Sequence, residues 1–139
     1  MRWSIACLLL LSACAPRPVD PSAEVVLAIN LVRTFPGEQA DYLRFIETNW
    51  APARAEVQRR GDVVAYDVLA RVPSDSEWDV MLITEYASPE AYARREATFG
   101  ALFRQPAFQM KRVNGKGPRD MAEILGSSVS PARRHLRSR

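Results

Sequence analysis

The chain has 139 residues, 19 Lys and Arg against 16 Asp and Glu for a net charge of +3, and 47% apolar residues, which suits one domain of modest size. Its two cysteines, Cys7 and Cys14, lie near the N-terminus, and its one histidine, His135, lies near the C-terminus. That distribution excludes a disulfide framework, a thiol nucleophile, a histidine base or triad, and a Cys- or His-based metal site from the body of the chain.

The first element in chain order is an apolar leader. Arg2 supplies a positive start, residues 3–11 are an apolar run, and Ser12 and Ala13 offer the small residues a signal peptidase needs. The run of about nine residues is far short of the roughly 20 that span a bilayer as a helix. Leu11, Ser12, Ala13 and Cys14 resemble the lipobox of bacterial lipoproteins, which implies cleavage before Cys14 and lipidation of that cysteine. The expectation is therefore a signal peptide over 1–13 and a protein held to a membrane of the cell envelope through Cys14. Two or three acyl chains are enough for stable anchoring. Ala15 after the cysteine, where an aspartate is absent, fits the lipoprotein pattern for an outer membrane and a periplasm-facing domain. Pro16, Pro18 and Pro21 then make residues 14–23 an extended, semi-rigid tether.

Residues 25–32 are a β-branched and apolar run that predicts a strand buried on both sides, stopped by Pro36 and Gly37. From Glu38 to Arg60 the period becomes helical: Leu43, Ile46, Trp50, Ala53 and Val57 form one apolar stripe. Pro52 should kink or divide that helix, and Gly61 is a natural C′ stop. A second strand is predicted over Val63 to Val72, turn chemistry over 73–76, and a third strand over Trp78 to Tyr86. Ser88, Pro89 and Glu90 open a second helix as cap, first position and first-turn acid, and this helix carries Tyr92, Phe99, Leu102 and Phe103 and ends before Pro106. A short last strand is expected at Met121 to Leu125, extendable to Val129, before a disordered basic tail that fills 130–139 and is already tail-like in composition from Ser127.

The order β-α-β-β-α-β predicts an α+β fold, a ferredoxin-like antiparallel sheet with two helices on one face, over a domain spanning 24–129. Gly37 followed by Tyr42, Trp50-x-Pro52, Gly61, Asp79 ahead of an apolar strand, and the stretch Glu85, Tyr86, Ser88, Pro89, Glu90 resemble the dimeric α/β-barrel superfamily. Within it the chain is similar to the antibiotic-biosynthesis monooxygenase and NIPSNAP groups, from Val25 to about Leu125. The resemblance implies a homodimer whose two sheets face each other, with a cavity between each sheet and its own helices. It also speaks to haem degradation: relatives with that activity use a helix histidine together with a pocket asparagine and tryptophan. Asn30 matches the asparagine, but the second helix has no histidine and Arg95 stands near the expected tryptophan, so haem degradation is not expected.

Five residues are candidates for such a cavity. Asn30 is the one polar interruption of the first strand, so it either orients a ligand or satisfies neighbouring backbone. Trp50 either closes the helix–sheet contact or stacks on a ligand. Arg54, one turn beyond, stands where similar chains often carry a histidine; it can clamp an anion but cannot shuttle protons near neutral pH. Tyr66 and Tyr86 offer phenolic donors or ordinary strand packing. Asp67, Arg71 and Glu85 are expected to pair across strands. No phosphate loop, Rossmann fingerprint or other cofactor motif is present, so no cofactor and no metal is expected.

Charge is divided along the chain. Residues 24–110 hold 9 basic and 13 acidic side chains, whereas residues 111–139 hold 8 and 2. The basic tail suits anionic headgroups or simple solvation, and nucleic acid is not an expected partner of an exported chain. The leading functional expectation is a membrane-anchored lipoprotein binding a small apolar or aromatic molecule between sheet and helices. The alternatives are a cofactor-independent oxygenase-like enzyme and a structural envelope protein without a ligand.

Overall fold

A computed structural model describes residues 24–72 and 77–133 of the chain. The leader, Cys14, the tether, the turn at 73–76 and His135 lie outside the described residues. Four strands, β1 (Glu24–Thr34), β2 (Val63–Ala70), β3 (Val80–Tyr86) and β4 (Ala122–Arg133), form one antiparallel sheet in the order β2-β3-β1-β4. Helices α1 (Gln39–Phe45) and α2 (Ala51–Arg59) follow β1; α3 (Pro89–Ala93) and α4 (Arg95–Phe103) follow β3. This is the ferredoxin-like α+β arrangement expected from the alternating periods.

The alternation of β1 decides how the layers meet. Val26, Ala28, Asn30 and Val32 share one face, in register with Tyr86, Thr84, Leu82 and Val80 of β3. The helices pack onto that face in two clusters. Val32, Val80 and Leu82 meet Tyr42, Phe45, Ile46 and Trp50; Val26, Val63 and Tyr86 meet Ala53, Val57, Phe99 and Leu102. Val32, Val57, Val80, Leu102 and Met121 are fully buried, each stabilising the fold by about 1.5–3 kcal/mol. The other face carries Leu27, Ile29, Leu31, Met81 and Ile83, none fully buried. On the helix side of β1 Val26 and Val32 are buried, whereas on the other face Val25 is buried but Leu27, Ile29 and Leu31 are only half-buried, so the strand is not buried throughout on both sides.

Local chemistry explains the ends of the elements. Gly61 (φ +90°) and Gly37 (φ +81°) take left-handed backbone that side-chain-bearing residues resist. Ser88 Oγ accepts from Ala91 N–H at 3.2 Å, with Pro89 at the start of α3. Asp79 ties the start of β3 to the end of β1, its Oδ2 accepting from Thr34 N–H at 2.8 Å and Thr34 Oγ1 at 3.0 Å.

The structure departs from expectation in five further places. Between α1 and α2, residues Ile46–Trp50 form a π-helical turn, with Ala51 N–H donating to Ile46 O. The wider turn precedes Pro52, which then sits in the first turn of α2, where a missing N–H costs little. The second helix breaks at Arg94, whose guanidinium grips Asp62 through both carboxylate oxygens (3.0 and 2.5 Å). β2 ends at Ala70 and β3 begins at Val80. β4 runs on to Arg133, so residues 127–133 are strand rather than tail. Its small polar residues pair with β1, and Pro131 is tolerated because β4 is an edge strand. Finally, Asp67 lies opposite Ile83 and Arg71 packs over Trp78 at 4.9 Å, so among the described residues neither forms the expected cross-strand charge pair.

Candidate ligand-binding cleft

Two cavities adjoin on the helix side of the sheet, sharing Arg54 and Phe103 in their walls. The first, about 390 Å³, has a floor of Ala28, Asn30, Thr84 and Tyr86, with Ser127 at the β4 side. Tyr92, Arg95, Glu96 and Phe99 of α3 and α4 wall it. Its lining is rich in hydrogen-bonding groups. The second, about 380 Å³, is apolar: Phe45, Trp50, Phe108, Met110 and Pro118 surround it, with Asn49 at its edge.

Register puts the polar floor where it is. Asn30 lies between Leu82 on β3 and Ser127 on β4, and Ser127 Oγ donates to Asn30 Oδ1 at 2.6 Å. With one bond made to Oδ1, Asn30 retains its NH₂ donors and a second Oδ1 lone pair for another partner. Thr84, in register with Ala28 and Tyr66, is a buried polar residue beside it.

Arg54 stands at the junction. Its guanidinium carbon is 4.4 Å from the Trp50 ring centroid and 4.5 Å from that of Phe99, so it joins α2 to α4 through two rings. Among the described residues it has no carboxylate partner, and its Nε is buried without a hydrogen-bond acceptor. Burial lowers its pKa to about 10, with Tyr86 acting in the opposite sense, so it is a cation at neutral pH. Burial likewise pushes the Tyr86 phenol up, against the pull of Arg54 and Arg95, which keeps it a protonated donor. Tyr86 packs edge-on to Tyr92 at 5.3 Å, and Arg95 covers Tyr92 at 4.0 Å.

The loop after α4 forms one wall of the apolar cavity, and polar side chains hold that loop down. Asn49, on the π-helical turn, accepts from Lys111 N–H at 2.7 Å and donates to Lys111 O at 3.0 Å. Asn114 donates to Asp41 at 2.8 Å, and Lys116 pairs with Glu38 at 2.6 Å.

Of the five residues picked out in the sequence, Asn30, Arg54 and Tyr86 meet in the polar cavity. Trp50 lies across Arg54 in the apolar one. Tyr66 lines neither; it packs edge-on against Trp50 at 5.8 Å and bridges the two core clusters. Arg95, Phe99, Phe103 and Asn49 were not among the candidates. The helical stripe of α4 pointed to its aromatics as core, and nothing local signals the π-turn that aims Asn49. Among the described residues no group of three His, Cys, Asp or Glu side chains is placed to hold a metal.

No protein-family model and no curated protein matches the chain. Solved structures do. HapK from Hahella chejuensis is similar at 19% identity and a TM-score of 0.53 over 82% of this chain and 98% of that one. SnoaB from Streptomyces nogalater, described as a cofactor-independent oxygenase, is similar at 19% identity and 0.51 over 84% and 100%. A dimeric ferredoxin-like protein from an uncultured marine organism is similar at 11% identity and 0.54 over 85% and 96%. At these identities the likeness is one of fold: a four-stranded ferredoxin-like sheet carrying its helices on one side.

Proposed function

We propose that the protein is a membrane-anchored lipoprotein whose domain binds a small aromatic molecule in the cleft between its sheet and helices. The observation that carries the reading is the pair of open cavities meeting at Arg54 and Phe103. A domain serving only as envelope structure is expected to fill this space with its own side chains. Aromatic walls, a few convergent donors and a concave shape are the usual make-up of a small-molecule site. The lining of the sheet-side cavity narrows the small apolar or aromatic molecule of the sequence reading to an aromatic one with polar substituents. Anchoring rests on the Leu11–Cys14 pattern, and no helix among the described residues is long and apolar enough to cross a membrane.

We further propose that the domain works as a homodimer. Antiparallel sheets covered on one face normally turn a polar face to water. Here Leu27, Ile29, Leu31, Met81 and Ile83 make that face apolar, and Leu69 beside them is exposed. A second sheet is the natural cover, in keeping with the neighbour described as dimeric.

A cofactor-independent oxygenase is the second reading, favoured by the convergence of the Asn30 amide, the Tyr86 phenol and the Arg54 guanidinium on one cavity, a set that stabilises a developing oxyanion. Binding is tested by calorimetric titration of the protein with 2-naphthalenemethanol, a neutral planar probe. Phe103→Ala, which removes the wall both cavities share, is expected to weaken binding at least about fivefold, or 1 kcal/mol. Phe35→Ala, away from the cleft, is expected to leave it unchanged; equal effects, or no binding by the native protein, would remove the reading.

A further inference from the structure

Resting on that binding reading, we infer that the ligand carries an oxyanion, as a planar aromatic carboxylate or phenolate does, and that Arg54 receives it from the sheet side of the cleft. The charges around the cavity are the first argument. Two guanidinium groups, Arg54 and Arg95, line it against one carboxylate, Glu96, which is largely exposed and lies 3.5 Å from Arg95. Arg95 also donates to Tyr92 O at 3.1 Å, so its position is held by the end of α3. Arg54 is the cation left uncommitted: rings cover it at 4.4 and 4.5 Å, yet they satisfy none of its N–H groups.

The second argument is the buried Nε of Arg54. A protein of ordinary economy pairs such a group with a carboxylate or a carbonyl oxygen. Here the groups that share the cavity with it include the Asn30 NH₂, the hydroxyls of Tyr86 and Thr84 and the exposed Glu96 carboxylate, and none of them accepts from that Nε. A ligand oxygen carrying negative charge can accept from the Arg54 guanidinium and from donors on the same cavity wall, and a carboxylate offers the two in-plane oxygens that suit a guanidinium edge. The third argument is the neighbourhood of rings. Phe99 and Trp50 lie against the guanidinium, Phe103 stacks beside Phe99 and lines both cavities, and Trp50 opens the apolar one behind. A planar ring attached to the oxyanion lies against those faces.

The experiment is a paired titration of the full-length protein at neutral pH with 2-naphthoate and with 2-naphthalenemethanol, which share a ring and differ in charge. The native protein is expected to bind the carboxylate at least tenfold more tightly than the alcohol. Arg54→Met is expected to lose at least tenfold for the carboxylate and less than threefold for the alcohol, and Arg54→Lys to fall between. Equal affinity of the native protein for the two probes overturns the oxyanion inference while leaving the cleft a binding site. Binding of neither probe overturns the binding reading itself. The comparison within the native protein needs no variant, so a variant that fails to fold does not decide the outcome.

Discussion

The guanidinium carbon of Arg54 stands 4.4 Å from the ring centroid of Trp50, one helical turn before it, and 4.5 Å from that of Phe99 on the other helix pair. The stacking offsets part of the cost of holding a cation in a poorly solvated place, but no carboxylate among the described residues repays the rest. Arg54→Met should therefore leave the thermal midpoint unchanged or raise it by a few °C, roughly 0–1 kcal/mol, as expected where a residue is kept for binding rather than for stability. Differential scanning calorimetry checks this, and a fall of several degrees would mean that Arg54 is a structural fastener.

Leu102 and Phe103 are neighbours on α4 with opposite roles. Leu102 is fully buried in the cluster with Ala53, Val57 and Phe99, so Leu102→Ala should cost about 2–5 kcal/mol. Phe103 is partly exposed and lines both cavities, so Phe103→Ala should cost less than about 1 kcal/mol in urea unfolding while it impairs binding.

Acid should weaken the domain through two carboxylates. Hydrogen bonds from Arg59 and then Arg60 pull Glu56 from an ordinary 4.5 down to about 2, and the Arg94 grip lowers Asp62. Folded values below unfolded ones mean that this stabilisation is present above about pH 4.5 and is lost as the pH falls toward 2. Both are surface pairs, so the effect is modest. The urea midpoint should fall between about pH 6 and pH 2.5, and by less in Glu56→Gln, whose side chain has no proton to take up.

The apolar sheet face predicts a dimer in solution. Sedimentation equilibrium should give twice the chain mass, and Ile83→Glu, at the centre of that face opposite Ile29, should give a monomer with its cleft intact. A native monomer would remove the sheet-to-sheet association.

Cys14→Ser should release the protein from the membrane fraction into the soluble one. Retention of the variant on membranes would contradict the lipid anchor.

Much of the fold is written in short-range patterns. The change of period from two to 3.6 separates β1 from α1, and Gly61, Ser88 and Pro89 mark ends by backbone chemistry that needs no partner. β4 is harder because Gly126 to Pro131 has neither alternation nor β-branched density; what makes it a strand is the ladder offered by β1. Pro52 marks along the chain that the helix is interrupted, but the bonds of Asn49 on the π-turn to Lys111 join residues far apart in sequence. At the cleft, the oddity of Asn30 and the helical spacing of Trp50 and Arg54 were visible along the chain. That Arg54 lies against Phe99 was not, because that contact joins residues far apart in sequence.

The most direct test of the account is a chemical-shift map of the protein titrated with 2-naphthoate. The account predicts that the Arg54 Nε–H and the Asn30 side-chain amide move most, together with the backbone amides of Thr84, Phe99 and Phe103. Shifts confined to the opposite sheet face around Ile29 and Ile83, or no shifts at all, would contradict it.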